Sequence, residues 1–193
     1  MGLFVQKFSL AWAGPRLLCM ALLAYPLGGS LASAAPVKRA PQEQTTVVAV
    51  EDGHVLRVRL GRWERRVRLA CVDSPEKSQQ PWATAAQQAL AKQLPLGTAI
   101  TVEMRARDVY DRIVAVVRRD GQDVSPQLLQ NGFLFVHDGY LGRCDDLPYG
   151  AAEAQARQKQ LGVWSQPGGI QRPWDLRQEQ QQKNPQGPLD GEP

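Results

Sequence analysis

The run from Arg68 to Glu76 carries a cation inside a strand-like segment and two carboxylates where that segment ends. Pro75 fixes its own φ angle and favours an extended residue before it, so Asp73 and Glu76 are held in a stiff turn. Carboxylates in such a turn can offer oxygen ligands to a metal ion or accept a proton from water. Taken alone, the segment is more typical of a surface turn that carries acids.

A second segment, from Arg107 to Arg112, places Tyr110 between charged residues immediately before another strand-like run. Arginines from two separate strands could contact one phosphate from both sides, because each guanidinium offers a forked set of donors that matches phosphate oxygens. Arg68 and Arg112 would form such a pair. Neither segment is specific by itself.

Four short motifs follow one another between residues 46 and 165, and together they are far more specific. They are Asp52-Gly53-His54-Val55, Arg68 through Glu76, Asp108 through Arg112, and Gly162-Val163-Trp164. In this order they resemble the staphylococcal nuclease-like (thermonuclease) family. That family has an Asp-Gly-Asp-Thr turn, an Arg-bearing strand that ends in Asp-(Thr/Ser)-Pro-Glu, an Asp-x-Tyr-Gly-Arg turn and a Gly-(Ile/Val)-Trp close. The second and fourth motifs match well, and the first and third depart from the pattern.

The resemblance implies a barrel of the OB type that hydrolyses phosphodiester bonds with one calcium ion. It implies that Asp73 and the backbone carbonyl of Ser74 bind the metal, since hard oxygen ligands suit calcium. Glu76 would accept a proton from the attacking water or orient it. Arg68 and Arg112 would stabilise the charge that builds up on the phosphoryl oxygens.

Substrate binding is expected at two tyrosines and an arginine-rich stretch. Tyr110 and Tyr140 resemble the family's nucleotide-contacting tyrosines, with hydroxyls for phosphate and rings for bases. Residues 57 to 68 hold six arginines against the single acid Glu64, a local excess of +5. Such a run could attract a polyanion, and it also fits a solvated strand face.

His54 stands where the family places a metal-binding aspartate. Neutral imidazole is a poor ligand for calcium and a good one for softer metals, so Ca²⁺ is the first expectation, with Mn²⁺ or Zn²⁺ if His54 binds the ion. Two other interpretations stay open: a solvent-exposed turn residue, and a sign that catalysis has been lost. Asp111 replaces the family's glycine, where it could weaken the attraction of Arg112 for phosphate or disfavour a left-handed turn.

Alternating apolar residues predict five short strands, with helices after the third strand and after the fifth. The strands are expected at residues 46–50, 55–60, 66–72, 99–104 and 113–117, and the helices near 81–94, 125–130 and 149–160. Periodicity supports an α+β class with a β-rich core. The resemblance adds a five-stranded OB-fold-type β-barrel with about three helices.

The two ends of the chain differ from its centre. Lys7 and Arg16 precede an apolar run at residues 17–25, and Ala32-Ser33-Ala34 offers a small-residue cleavage site. This pattern is typical of a secretory signal peptide and falls short of the roughly 20 residues that span a bilayer. We expect a signal peptide at 1–34, a linker at 35–44, the nuclease-like domain at 45–166, and a disordered tail rich in Gln, Pro and Gly at 167–193.

An exported chain reaches a secreted or periplasmic location, where Cys71 and Cys144 are the cysteines left after cleavage. An oxidising compartment allows them to pair. The alternative is one buried strand thiol and one loop thiol, and spacing does not decide between the two because pairing depends on geometry.

The leading hypothesis is an exported metal-dependent nuclease that hydrolyses DNA and RNA with low sequence specificity. It would act as a monomer, without a stable protein partner and without a membrane anchor after cleavage. The alternative is a catalytically impaired module of the same family that only binds nucleic acid, as His54 would suggest. A third possibility is an exported module that binds an anionic cell-surface polymer, which leaves Asp73 and Glu76 unexplained. The net charge of +4 excludes none of these.

Overall fold

The structure, a computed structural model, describes residues 42–137 and 144–185. Its strands are β1 Gln42–Val50, β2 Val55–Leu60, β3 Trp63–Leu69, β4 Val72–Asp73, β5 Ala99–Arg107, β6 Ile113–Arg119, β7 Gln122–Asp123 and β8 Phe135–Val136. Its α-helices are α1 Trp82–Gln93, α2 Ser125–Gln130, α3 Tyr149–Gln158 and α4 Pro173–Lys183, and a 3₁₀ turn spans Gly162–Trp164. Within the described ranges, no helix combines the length and apolar character that crossing a membrane requires.

Five strands close into a barrel. Antiparallel neighbours follow the order β3-β2-β1-β5-β6, and a parallel pairing of β3 with β6 joins the two ends. In that pairing Val67 lies opposite Ile113, and Arg68 lies opposite Val114. The predicted α+β class and the five-stranded OB-type barrel are confirmed.

Alternation along the strands places the core inside this barrel. In β2, Val55, Leu56 and Val58 are buried while Arg57 and Arg59 are exposed. The β2–β3 hairpin turns at residues 61–62, because Leu60 pairs with Trp63. Gly61 supplies the left-handed φ of 60° that this two-residue loop needs.

The two cysteines form a disulfide between Cys71 and Cys144. Cys71 lies between β3 and β4 and is 1% exposed. Of the two alternatives that spacing left open, the structure therefore has the paired form. The bond ties the end of β3 to the segment that precedes α3.

The predicted boundaries at both ends need correction. The predicted signal peptide and linker residues 35–41 lie outside the described residues, but Gln42 to Gln44 pair with β5 instead of continuing the linker. The tail predicted to be disordered from residue 167 contains α4. Two of its apolar residues dock: Ile170 is buried, and the ring of Trp174 stacks on His137 with centroids 4.3 Å apart. The average composition of a segment does not predict where its few apolar residues pack.

Candidate active site

The turn between β1 and β2 is shaped by the carboxylate of Asp52. Its Oδ1 accepts the backbone N–H groups of His54 at 2.7 Å and Val55 at 2.8 Å. Burial alone would raise the pKa of Asp52, but the charge of His54 and these hydrogen bonds outweigh burial and lower the pKa to about 2. The carboxylate is therefore ionised and orders the turn.

Gly53 lets this turn lie against the rest of the site. A Cβ atom at this position would lie 2.6 Å from the Cβ of Ala86 in α1 and 2.7 Å from the Cβ of Ser74. Both distances are shorter than carbon atoms tolerate. The turn can approach Ser74 this closely only because residue 53 is glycine.

His54 is buried in the site. It is 9% exposed, its Nδ1 lies 2.7 Å from Ser74 Oγ, and its Nε2 lies 3.5 Å from Asp73 Oδ1. The interpretation of His54 as a solvent-exposed turn residue was wrong, because Gly53 brings the turn against Ser74. The three residues predicted to bind metal, His54, Asp73 and Ser74, do lie together.

Asp73 and Glu76, which we call the acidic centre, are also buried. Asp73 ends β4, pairs with Phe135 of β8 and is 0% exposed, and Glu76 is 6% exposed. Asp73 Oδ1 accepts the Ser74 backbone N–H at 3.0 Å, and the Glu76 N–H donates to Gln79 Oε1 at 2.9 Å. The segment is thus a fixed, buried strand end and differs from a surface turn that happens to carry acids.

The barrel closure brings the two predicted arginines to this centre. Arg68 Nη2 lies 3.8 Å from Asp73 Oδ2 and donates to the Val72 carbonyl at 3.2 Å. Arg112 is 9% exposed and directly precedes the β6 residues that pair with β3. Burial lowers the pKa of Arg68, Asp73 opposes that effect, and the charge of Arg112 adds to it. The pairing of Arg68 with Val114 places the Arg112 segment beside the strand that carries Arg68.

The turn before β6 is arranged around Asp108. Its Oδ2 accepts a hydrogen bond from Arg112 Nε at 2.6 Å. Its Oδ1 accepts hydrogen bonds from the backbone N–H groups of Tyr110 and Arg112. Asp111 adopts the left-handed φ of 56°, and its carboxylate bonds Arg107. Asp111 therefore adopts the left-handed conformation for which the family uses glycine at this position. The acid that pairs with Arg112 is Asp108.

The arginine of the site that sequence reasoning missed is Arg177 of α4. Its Nη2 donates to Asp73 Oδ2 at 2.6 Å, and its Nη1 donates to Glu76 Oε1. The sequence does contain a helix-start signal, with Pro173 at the first helical position and Asp175 in the first turn. That signal predicts a helix and does not predict which residues the helix contacts.

Burial raises the pKa of Asp73 and of Glu76, and the surrounding cations lower both, but the net shift differs between the two acids. Burial raises the pKa of Glu76 to about 7, although Arg177 opposes this. Burial would also raise the pKa of Asp73, but His54, Arg68 and Arg177 outweigh it and lower that pKa. Asp73 is thereby held as the charged member of the acidic centre.

The donor set does not fit a calcium ion in this arrangement. Among residues 42–137 and 144–185, no group of three or more His, Cys, Asp and Glu side chains is placed to hold a metal ion. Both oxygens of Asp73 already face donors, with Ser74 and His54 at Oδ1 and Arg177 at Oδ2. Calcium takes about six to eight oxygen ligands, whereas this set combines one engaged carboxylate with an imidazole.

The predicted substrate-binding residues are described only in part. The guanidinium carbon of Arg112 lies over the Tyr110 ring, 5.0 Å from the ring centroid. Tyr140 lies outside the described residues. In the arginine-rich stretch, four arginines pair with acids: Arg57 and Arg66 with Glu51, Arg59 with Glu64, and Arg68 with Asp73. Arg62 and Arg65 instead lie beside the exposed ring of Trp63.

Comparison with known proteins gives one family. The family model described as "Staphylococcal nuclease homologue" matches residues 66–166. An uncharacterized endonuclease of Escherichia coli is 33% identical over 131 residues, which cover 66% of this chain and 80% of the relative. A micrococcal nuclease of Shigella flexneri is 32% identical over 140 residues, covering 68% of this chain and 78% of the relative. A probable endonuclease of Podospora anserina is 36% identical over 115 residues, covering 51% of this chain and 41% of the relative.

Proposed function

The chain belongs to the family of staphylococcal nuclease homologues, and from that premise we propose that it is an exported nuclease that hydrolyses DNA and RNA with low sequence specificity. The relatives named as endonucleases and micrococcal nuclease support a nuclease-like function. The observation that carries the proposal for this chain is that Arg68 lies 3.8 Å from the buried Asp73, which Arg177 links to Glu76. The β3–β6 pairing brings the Arg112 segment to the strand that carries Arg68.

The proposed reaction uses these side chains in separate roles. A water oxygen forms a bond to phosphorus as the bond from phosphorus to the leaving sugar oxygen breaks. Glu76 takes the proton of that water, and the leaving oxygen takes a proton from solvent. Arg68 and Arg112 stabilise the negative charge that grows on the phosphoryl oxygens.

Metal dependence belongs to the proposal as a property to be measured. Calcium is the first ion to test, and manganese and zinc follow because His54 offers a nitrogen ligand. No step of the proposed reaction is assigned to the metal. We also propose that the protein acts as a monomer without a stable protein partner, with nucleic acid as its substrate.

Export is supported by the leader pattern in residues 1–34 and by the disulfide. Cys71 and Cys144 are bonded, and such bonds persist in secreted and periplasmic proteins. Expression of the full chain followed by fractionation should place the protein outside the cytoplasm, with its new N-terminus after Ala34. An uncleaved protein that stays in the cytoplasm would contradict this part of the proposal.

The central experiment is digestion of single-stranded DNA and RNA by the mature chain in EDTA, calcium, manganese or zinc. Cleavage of both polymers that is lost in EDTA and restored by one of the three ions supports the proposal. Cleavage that persists in EDTA rejects the metal requirement alone. Absence of cleavage under all four conditions rejects the nuclease assignment for the mature chain.

A second candidate function is a nucleic-acid-binding module without catalysis. It is favoured by Arg177, which donates to both carboxylates of the acidic centre, and by His54 in place of the family's aspartate. The same experiment separates the two candidates when binding is measured beside cleavage. A mature chain that binds single-stranded oligonucleotides and cuts none, in any of the ions, is such a module.

A further inference from the structure

A single guanidinium from α4 closes the acidic centre. Arg177 donates one η nitrogen to Asp73 and the other to Glu76, and its side chain is 25% exposed. These oxygens are the ones that an attacking water or a cation would have to reach. With both η nitrogens donating to carboxylates, Arg177 also has poor geometry for a simultaneous forked contact with phosphate. The arrangement is therefore better suited to blocking the centre than to serving it.

The packing of α4 is concentrated at its N-terminal end. Its one buried residue is Pro173, and the ring of Trp174 stacks on His137 and meets the Phe135 ring edge-on, with centroids 6.0 Å apart. Just before the helix, Gln79 donates to the carbonyl of Gln171 at 2.8 Å. An isolated helix of this length is marginal in water, so its order depends on docking. Release of α4 therefore requires that these contacts and the two Arg177 hydrogen bonds be given up.

Release of α4 has a specific electrostatic consequence. Asp73 and Glu76 would remain buried with one fewer cation beside them, which is unfavourable unless another cation replaces Arg177. A divalent metal ion supplies such a charge and uses the oxygens that Arg177 now holds. Arg177 and such an ion would therefore compete for the same carboxylate oxygens.

We propose that α4 is an internal inhibitor of the acidic centre, with Arg177 as its blocking residue, and that a divalent cation or the substrate releases it. This proposal rests on the proposed nuclease function. It assigns a role to residues beyond position 166, where the family match ends. Binding to the released state alone shifts the equilibrium towards it, because a ligand favours the state that it binds more tightly.

The test compares Arg177→Gln with Lys183→Gln in the mature chain. Both variants lose one positive charge from α4, but Lys183 lies in its last turn and pairs loosely with Glu179. Arg177→Gln should cleave a single-stranded oligonucleotide about tenfold faster or more, a coupling of ordinary size. It should also bind Ca²⁺ or Mn²⁺ more tightly in calorimetry. Lys183→Gln should match the parent in both measurements.

A second variant guards against a general loss of folding. Trp174→Ala loosens the stack on His137 and leaves every charged group in place, so it should change cleavage in the same direction as Arg177→Gln. Hydrogen exchange provides a readout that needs no activity. Amides of α4 should exchange faster in both variants, and in the parent after calcium or manganese is added.

The outcomes separate this proposal from the nuclease assignment. If the parent cleaves and Arg177→Gln cleaves no faster, Arg177 is not inhibitory and the proposal fails. If no variant cleaves but Arg177→Gln binds the ion more tightly, the block is real and the nuclease function fails. If Arg177→Gln neither cleaves faster nor binds calcium or manganese more tightly, the proposal is overturned.

Discussion

Glu76 and Arg112 are the residues on which the proposed reaction depends most directly. We expect Glu76→Gln and Arg112→Ala each to lower phosphodiester cleavage by at least about a hundredfold, the scale of losing a base or a stabiliser of transition-state charge. Binding of the oligonucleotide should fall much less. Single-turnover cleavage beside equilibrium binding measures both, in the parent and in the Arg177→Gln background.

Matched controls for this pair lie on the exposed surface. Glu43→Gln in β1 and Arg119→Ala at the end of β6 make the same kinds of change away from the acidic centre. Both should cleave at the parent rate. If Glu76→Gln and Arg112→Ala behave like these controls, the activity arises from other residues.

We expect His54 to influence which cation the centre prefers. Because its ring lies against Ser74 and close to Asp73, His54→Asp places a second hard anionic oxygen donor beside the first. We expect tighter calcium binding by calorimetry and faster calcium-supported cleavage. His54→Asn is the control, since it supplies a similar shape without the charge. Equal calcium affinity in the Asp and Asn variants would show that residue 54 does not take part in metal binding.

Much of the site could be predicted residue by residue, because its motifs are local in the sequence. Asp73 ends β4, and Ser74 and Glu76 follow it closely; their burial together agrees with a shared role. Arg177 could not be predicted, since it is separated from Asp73 by 104 positions. Pairing of charges over such a distance depends on how α4 docks, and no short motif encodes that.

The β2–β3 hairpin presents two sets of arginines that differ in their neighbours. Arg59 and Arg66 pair with acids, so replacing them should change counterion release on nucleic-acid binding only slightly. Arg62 and Arg65 instead flank the exposed ring of Trp63. An aromatic ring beside cations is a surface that suits single-stranded nucleic acid. The arginine count of this stretch alone would have weighted all of these residues equally.

We therefore expect Arg62→Ala with Arg65→Ala to weaken binding to single-stranded DNA. The slope of log affinity against log salt should fall by roughly 1 to 1.5, as two lost phosphate contacts require. Arg59→Ala with Arg66→Ala removes the same charge and should change the slope less. Fluorescence titrations from low to high salt provide both slopes. Equal slopes in the parent and the two double variants would leave the hairpin as a solvated face.

The strand cores were predictable at the level of elements, and the ends were less so. Alternation identifies β2, where inward residues are apolar and outward ones are arginine. The start of β1 was missed because Gln42, Glu43 and Gln44 are polar and exposed, and they are ordered by pairing with β5 rather than by burial. Helix α4 was missed for a related reason, since its order comes from docking.

Closure of the barrel belongs to the whole molecule and cannot be derived from periodicity. The parallel contact between β3 and β6 joins segments that lie more than forty residues apart, as in the pairing of Arg68 with Val114. The family resemblance supplied this feature at the outset. Closure is also what brings the two arginine-bearing segments to one place.

The disulfide supports this arrangement from the segment that joins β3 to β4. Cys71 lies just before β4, which ends at Asp73, and its carbonyl accepts the His137 N–H at 3.0 Å. The bond to Cys144 spans 73 positions. In the chain-entropy account, a crosslink over a loop of this length stabilises the folded state by about 4 kcal/mol, because it restricts the unfolded chain.

Cys71→Ala with Cys144→Ala should therefore unfold at a clearly lower urea concentration than the oxidised parent, and reduction of the parent by dithiothreitol should lower its midpoint in the same direction. The double variant in dithiothreitol is the control, and its midpoint should not move. Because the crosslink anchors the strand end that carries Asp73, cleavage by the reduced parent should also be lost at a lower urea concentration. If reduction leaves the unfolding midpoint of the parent unchanged, the bond contributes nothing to stability, and the disulfide no longer supports an oxidising destination.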